Sequence, residues 1–69
     1  MRELRLREEY ITLGQLLKAE GLVENGAEAK EVIQSGEASV NGKVDERRGR
    51  KLREGDVVSF RGTEIKVVR

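Results

Sequence analysis

Residues 12–36, "TLGQLLKAEGLVENGAEAKEVIQSG", carry the start and stop signals of two short helices. Thr12 is a good N-cap residue, and Gln15 follows three positions later, so each side chain can satisfy the backbone N–H of the other. Gly21 can adopt the left-handed conformation that ends a helix. The apolar stripe between these signals consists of Leu13, Leu16 and Leu17. The pattern predicts a first helix between Thr12 and Gly21.

A second helix is predicted almost at once. Asn25 is its N-cap, the side chain of Glu28 at the third helical position can accept in return from the N–H of Asn25, and Gly36 ends the helix. Its candidate apolar contacts are Ala27, Ala29, Val32 and Ile33. A connection of only about four residues predicts a compact, helix-turn-helix-like pair.

The sequence on either side of the helices alternates with a period of two residues. Leu4 and Leu6 alternate with arginines in residues 2–7, which predicts a short N-terminal strand. Asn41-Gly42 is a strong hairpin signal between residues 39–40 and 43–44. Two further strands are predicted at residues 56–60 and 64–68, with Val58, Phe60, Ile65 and Val67 as candidate core residues.

These elements predict one α+β domain over residues 1–69. Its order is a short N-terminal strand, two packed helices and a small antiparallel sheet that contains the Asn-Gly hairpin. A chain of this length buries a modest core and, without cysteine, has no disulfide to stabilise it.

Composition argues against catalysis and against a membrane location. The chain has no histidine and no cysteine, which are the commonest general base and the readiest nucleophile, and it has no glycine-rich phosphate loop. It also lacks a signal peptide and a run of about 20 apolar residues. We therefore expect a cytoplasmic, non-enzymatic monomer with no metal, no cofactor, no small-molecule substrate and no membrane contact.

Positive charge is concentrated in one stretch. Residues 41–53, "NGKVDERRGRKLR", contain six cations and two anions, which leaves 8 cations and 11 anions in the rest of the chain. A solvated loop that aids solubility is one interpretation. Scattered charge would serve solubility equally well, however, whereas clustered arginines create a local potential and offer paired hydrogen bonds to phosphate.

The order of these motifs resembles the RNA-binding domain family named for ribosomal small-subunit protein four, the S4 domain. The resemblance runs from about residue 11 to residue 60: a helix with paired leucines, Ala29-Lys30 in the second helix, Gly36, the Val40-Asn41-Gly42 hairpin and a closing Gly55-Asp56. The flanking "ITLGQLLK" and "ERRGRKLREGDVV" are most similar to the small stand-alone bacterial members, the YaaA/YbcJ group.

The resemblance implies an α+β fold in which the second helix, the hairpin and the following loop form one basic surface that faces RNA. It implies these contact residues: Lys30, Asn41, Lys43, Arg47, Arg48, Arg50, Lys51 and Arg53. Many members carry a basic residue near the start of the second helix, where this chain has Asn25-Gly26 and Glu28, so we expect the loop to contribute more than the helix.

The scarcity of aromatic residues narrows the kind of RNA. Proteins bind single-stranded RNA by stacking its bases on aromatic side chains. This chain has only two aromatic residues: Phe60, which we expect in the core, and Tyr10, which can either pack beside the helix cap or contact RNA. The expected partner is structured RNA, with ribosomal RNA or an assembling ribosomal subunit as the family suggests. The alternatives are an adaptor whose basic loop binds an acidic protein surface, and a targeting domain separated from an RNA-modifying enzyme.

Overall fold

The computed structural model describes residues 1–69 and contains two helices and seven strands. The helices are α1 (Leu13–Ala19) and α2 (Gly26–Gln34). The strands are β1 (Arg2–Arg5), β2 (Ile11–Thr12), β3 (Ala38–Val40), β4 (Lys43–Val44), β5 (Lys51–Leu52), β6 (Val57–Phe60) and β7 (Thr63–Val68). The predicted α+β class is confirmed.

Both ends of α1 form as the sequence predicts. The side chain of Thr12 accepts a hydrogen bond from the N–H of Gln15 (3.3 Å), and the Gln15 side chain accepts one from the N–H of Thr12 (3.0 Å). At the other end Gly21 has a φ of +71°, and the N–H of Leu22 donates to the carbonyl of Leu17 (2.9 Å). Because local hydrogen bonds specify both termini, the helix begins and ends at defined residues.

Helix α2 begins at the predicted cap but differs from the prediction in two details. The Asn25 side chain accepts from the N–H of Glu28 (2.8 Å), whereas the Glu28 carboxylate accepts from the N–H of Glu24 (2.6 Å). Ala27 was predicted to make apolar contacts, and that prediction is wrong because the residue is exposed. Ala29, Val32 and Ile33 are buried as predicted.

The main sheet has the order β1-β7-β6-β3-β4 and is mixed. The antiparallel pairing predicted for the C-terminal strands is confirmed for β3, β4, β6 and β7, but β1 joins the edge parallel to β7. Asn41 and Gly42 have φ angles of +52° and +86°, which are typical of the two-residue hairpin turn that the sequence predicts. A separate two-stranded ladder pairs β2 with β5.

One cluster of 16 buried apolar side chains joins the helices to the sheet. Phe60 is 2% exposed, which confirms its predicted place in the core. Leu52 is fully buried although it lies inside the basic stretch, so that stretch is attached to the core. No helix is both long enough and apolar enough to span a membrane.

Candidate functional site

The basic segment, which we define as Lys43–Arg53, is anchored against α1. The first two N–H groups of that helix lack partners inside it. The N–H of Leu13 donates to the carbonyl of Arg50 (2.9 Å), and that of Gly14 donates to the carbonyl of Arg48 (3.0 Å). Pairing of β5 with β2 fixes the segment a second time. The sequence suggested a loop, but this backbone is held at both β5 and the helix terminus.

Asp45 organises two of the arginines in the basic segment. Its side chain is only 7% exposed, and its Oδ1 accepts from the N–H and the Nε of Arg47 (3.0 and 2.9 Å). Its Oδ2 accepts from Nη2 of Arg47 (2.7 Å) and Nη1 of Arg50 (2.8 Å). The Arg47 side chain nevertheless remains 70% exposed, so its guanidinium is oriented by Asp45 and still faces solvent.

These hydrogen bonds also fix the charge state of Asp45. The bonds from Arg47, followed by those from Arg50, hold the pKa of Asp45 well below its usual range, against the opposing effect of burial. Asp45 is therefore ionised at neutral pH. Sequence reasoning counted it only as an anion that lowered the net charge of the segment, because nothing in the local pattern indicates that it is buried.

A groove separates the basic segment from the two helices. It has a volume of about 340 Å³, and Arg48 and Gly49 form one wall. Gln15 and Lys18 of α1 line the opposite side, and the start of α2 closes it at Gly26. Lys18 is a cation that was not among the site residues predicted from the sequence. Its predicted position on the solvent side of α1 was the feature that could have indicated it.

The structure brings some predicted site residues together and separates others. Arg47, Arg50 and Lys51 line one open recess of about 530 Å³. Lys43 is exposed on β4, and Lys30 is exposed on α2 but lines neither this recess nor the groove. The groove and the recess are thus lined mainly by the basic segment and α1, and of the surface that the resemblance implied (second helix, hairpin and following loop), α2 contributes Gly26 and Ala29 to the groove.

Asn41 has a partner for each end of its amide. Its Nδ2 donates to Asp56 (2.9 Å), and its Oδ1 accepts from the N–H of Val57 (2.9 Å). These bonds tie the hairpin turn to the start of β6. One Nδ2 hydrogen is left for any other contact, so most of its hydrogen-bonding capacity serves the fold.

The charged groups of Lys51 and Arg53 lie over an aromatic ring. The Nζ of Lys51 is 4.9 Å from the centroid of the Tyr10 ring, and the Cζ of Arg53 is 5.6 Å from it. No side-chain hydrogen bond or ion pair holds either cation. Both can therefore bind an anion without breaking an internal ion pair or hydrogen bond. No cluster of three or more acidic side chains is placed to hold a metal ion.

Comparison with known proteins gives consistent matches. The family model described as the S4 domain matches residues 4–68. The probable ribosome maturation protein RlbA of Bacillus subtilis is 48% identical over 54 residues, which cover 78% of this chain and 76% of that protein. The putative RNA-binding protein YbcJ of Escherichia coli is 42% identical over 59 residues, covering 86% of this chain and 84% of that protein.

A solved structure is similar over the whole chain. The solution structure of YbcJ from Escherichia coli, described as revealing an ALFAL motif involved in RNA binding, matches with a TM-score of 0.75 at 38% sequence identity. The match covers 100% of this chain and 89% of that one. Two packed helices against a mixed sheet are thus an arrangement shared with that protein.

Proposed function

The chain belongs to the S4 domain family, and on that basis we propose that it binds structured RNA through its basic segment. The single observation that carries the proposal is the fixed arrangement of that segment, in which Asp45 orients Arg47 and Arg50 while Lys51 and Arg53 lie over the Tyr10 ring without an ion pair. We propose further that the 69 residues act as one domain, as a cytoplasmic monomer without catalytic activity.

The chemistry of these side chains favours folded RNA as the ligand. A guanidinium donates paired hydrogen bonds to a phosphate, and an orientation fixed in advance reduces the entropy lost on binding. Only folded RNA holds several phosphates and 2′-hydroxyls in a constant arrangement that such a surface can match. One relative is a putative RNA-binding protein and another a probable ribosome maturation protein, which supports ribosomal RNA or an assembling ribosomal subunit as the source.

The salt dependence of binding tests the proposal. If the cations of the basic segment neutralise roughly four to six phosphates, the logarithm of affinity should fall with the logarithm of salt concentration at a slope of about −3 to −5. Fluorescence anisotropy of a labelled hairpin RNA across a salt series measures this slope. A slope flatter than about −1 would show that the cations of the segment do not bind RNA phosphates. An acidic protein surface would then be the better candidate partner for the segment.

A glycine substitution tests the anchoring of the segment. In Gly14→Ala the added methyl group would lie 2.7 Å from the Cγ of Arg48, so this side chain must move. We expect RNA affinity to fall about fivefold, equivalent to ~1 kcal/mol. Stability should change little because alanine favours a helix more than glycine by up to ~1 kcal/mol.

Gly26→Ala is the matched control for this change. Gly26 also lies in the first turn of a helix, but a methyl group there meets no atom within 4 Å. The variant should therefore bind RNA like the wild type. Equal affinities for the two alanine variants would show that the position of Arg48 against α1 does not matter for binding.

A further inference from the structure

The solvent-facing side of the β2–β5 ladder carries the Tyr10 ring, with the charged groups of Lys51 and Arg53 over it. Ile11 pairs with Leu52 and Thr12 pairs with Lys51. Leu52 is buried and Ile11 packs against the core, so alternation along the strands directs their neighbours outward. The same register brings Tyr10, which is 38% exposed, opposite Arg53.

Tyr10 also forms part of a second groove, which the basic surface described above does not include. This groove has a volume of about 550 Å³. Leu4, Leu6 and Ile11 contribute its apolar part, while Arg7, Glu8 and Gln15 contribute polar groups. No hydrogen bond or ion pair within the protein engages the side chains of Arg7 and Glu8. Both are therefore free to bind a ligand.

We infer that Tyr10 and this groove bind one unpaired nucleobase of the RNA that the basic segment holds, an inference that rests on the proposed function. Nucleobases stack on aromatic side chains, and the contact tolerates any base because each has a π face. Lys51 and Arg53, whose charged groups lie over the ring, can bind the phosphate of the same nucleotide.

The composition of the groove favours a base over a phosphate as its occupant. Leucine and isoleucine side chains cannot solvate a phosphate, and the Glu8 carboxylate opposes the attraction that Arg5 and Arg7, which also line the groove, would exert on one. A base, in contrast, places an apolar ring face against the apolar side chains and offers N–H donors that a carboxylate accepts.

The groove is also linked to the proposed RNA surface through Tyr10. Lys51 lines the recess of the basic segment and lies over the Tyr10 ring, and Tyr10 in turn lines the groove. An RNA stem on the basic segment would therefore place the nucleotide next to that stem within reach of the ring. The expected ligand is a stem with a short single-stranded extension.

Three RNA ligands with the same stem test this inference: a blunt hairpin, a hairpin with a short 3′ or 5′ extension, and the same extension with abasic sites. For the wild type, a base-bearing extension of one polarity should raise affinity about tenfold over the blunt hairpin, within the range for base–aromatic stacking. The abasic extension should give no such gain. Tyr10→Leu should lose the gain, and Tyr10→Trp should keep it, because only the latter retains an aromatic face.

Fluorescence provides a readout that does not depend on affinity. The chain contains no tryptophan, so Tyr10→Trp introduces a single indole at the proposed site. Its emission should be quenched by the base-bearing extension and unchanged by the abasic one at saturating RNA. The melting temperature of each variant checks that the fold is intact.

The outcomes separate this inference from the proposed function. The nucleobase site would be overturned if the wild type bound the base-bearing and abasic extensions equally, or if Tyr10→Leu kept the gain in affinity. Binding of the blunt hairpin would still support the proposed function in either case. Absence of binding to all three hairpins would overturn both.

Discussion

Replacement of Lys43, Lys51 and Arg53 together by glutamine is expected to lower the affinity for a hairpin RNA by about 100-fold or more. The estimate assigns each cation roughly 1 kcal/mol, a modest value for a hydrogen bond to a charged group. Exposed charges contribute little to stability, and none of these three side chains has an internal ion pair, so the melting temperature should stay near that of the wild type. Binding titrations together with thermal unfolding measure both quantities.

A triple change outside the basic segment is the control. Arg2→Gln, Lys66→Gln and Arg69→Gln remove the same total charge from β1, β7 and the C-terminus, and because Arg2 and Arg69 have ion pairs with Glu20 and Glu54, the melting temperature of this variant is measured as well. This variant should bind RNA within about threefold of the wild type, a difference of ~0.7 kcal/mol. Equal losses in the two triple variants would mean that net charge, rather than the basic segment, determines affinity.

Asp45→Asn is expected to weaken RNA binding by about tenfold, or ~1.4 kcal/mol, although it makes the basic segment more positive. The carboxylate orients Arg47 and Arg50, and the amide that replaces it cannot accept at both ends. Both guanidiniums then gain rotational freedom, which binding must remove. Anisotropy titration of the variant against the same hairpin RNA measures the change.

Glu46→Gln is the matched control, because it removes the same charge from the neighbouring position. Glu46 is exposed and makes no hydrogen bond or ion pair, so this change only reduces repulsion of phosphate and should leave affinity equal or slightly higher. Opposite effects of the two substitutions are the expected signature of Asp45 as a positioning residue. Tighter binding by both variants would show that charge alone matters.

The stability of Asp45→Asn should also differ from that of the wild type in its dependence on pH. Because the folded protein holds the pKa of Asp45 below its usual range, the carboxylate contributes stability above the ordinary aspartate pKa of about 3.9 and loses that contribution as pH falls below it. The difference in unfolding free energy between the two proteins should therefore be largest near neutral pH and shrink in acid.

The sequence predicted those parts of the fold that local chemistry specifies. The capping box at Thr12, the left-handed glycine at Gly21 and the Asn41-Gly42 turn each depend on residues close to one another in the sequence. The parallel pairing of β1 with β7 places Arg2 opposite Ile65, and no local sequence motif indicates this pairing. Pairing between distant strands depends on the assembled core, so alternation predicted the strand without its partner.

The candidate site was predictable as a region but not residue by residue. Six cations in 13 residues were visible in the sequence, and all six appeared equivalent. The structure separates them, because Arg47 and Arg50 pair with a buried carboxylate whereas Lys51 and Arg53 do not. Whether Asp45 is buried depends on tertiary packing, and the pattern of apolar residues in the sequence does not indicate it. A loss of stability on changing Arg47 or Arg50 therefore carries no information about RNA.

Direct competition between nucleic acids tests the central claim, that the basic segment recognises folded RNA rather than negative charge. The protein is titrated near physiological salt with a hairpin or junction RNA, duplex DNA of equal length and single-stranded oligo-U. The hairpin RNA should bind at least ~10-fold, or ~1.4 kcal/mol, tighter than the DNA, because B-form DNA lacks the 2′-hydroxyl and spaces its phosphates differently. Oligo-U should bind more weakly still, whereas equal affinity for all three would contradict the account.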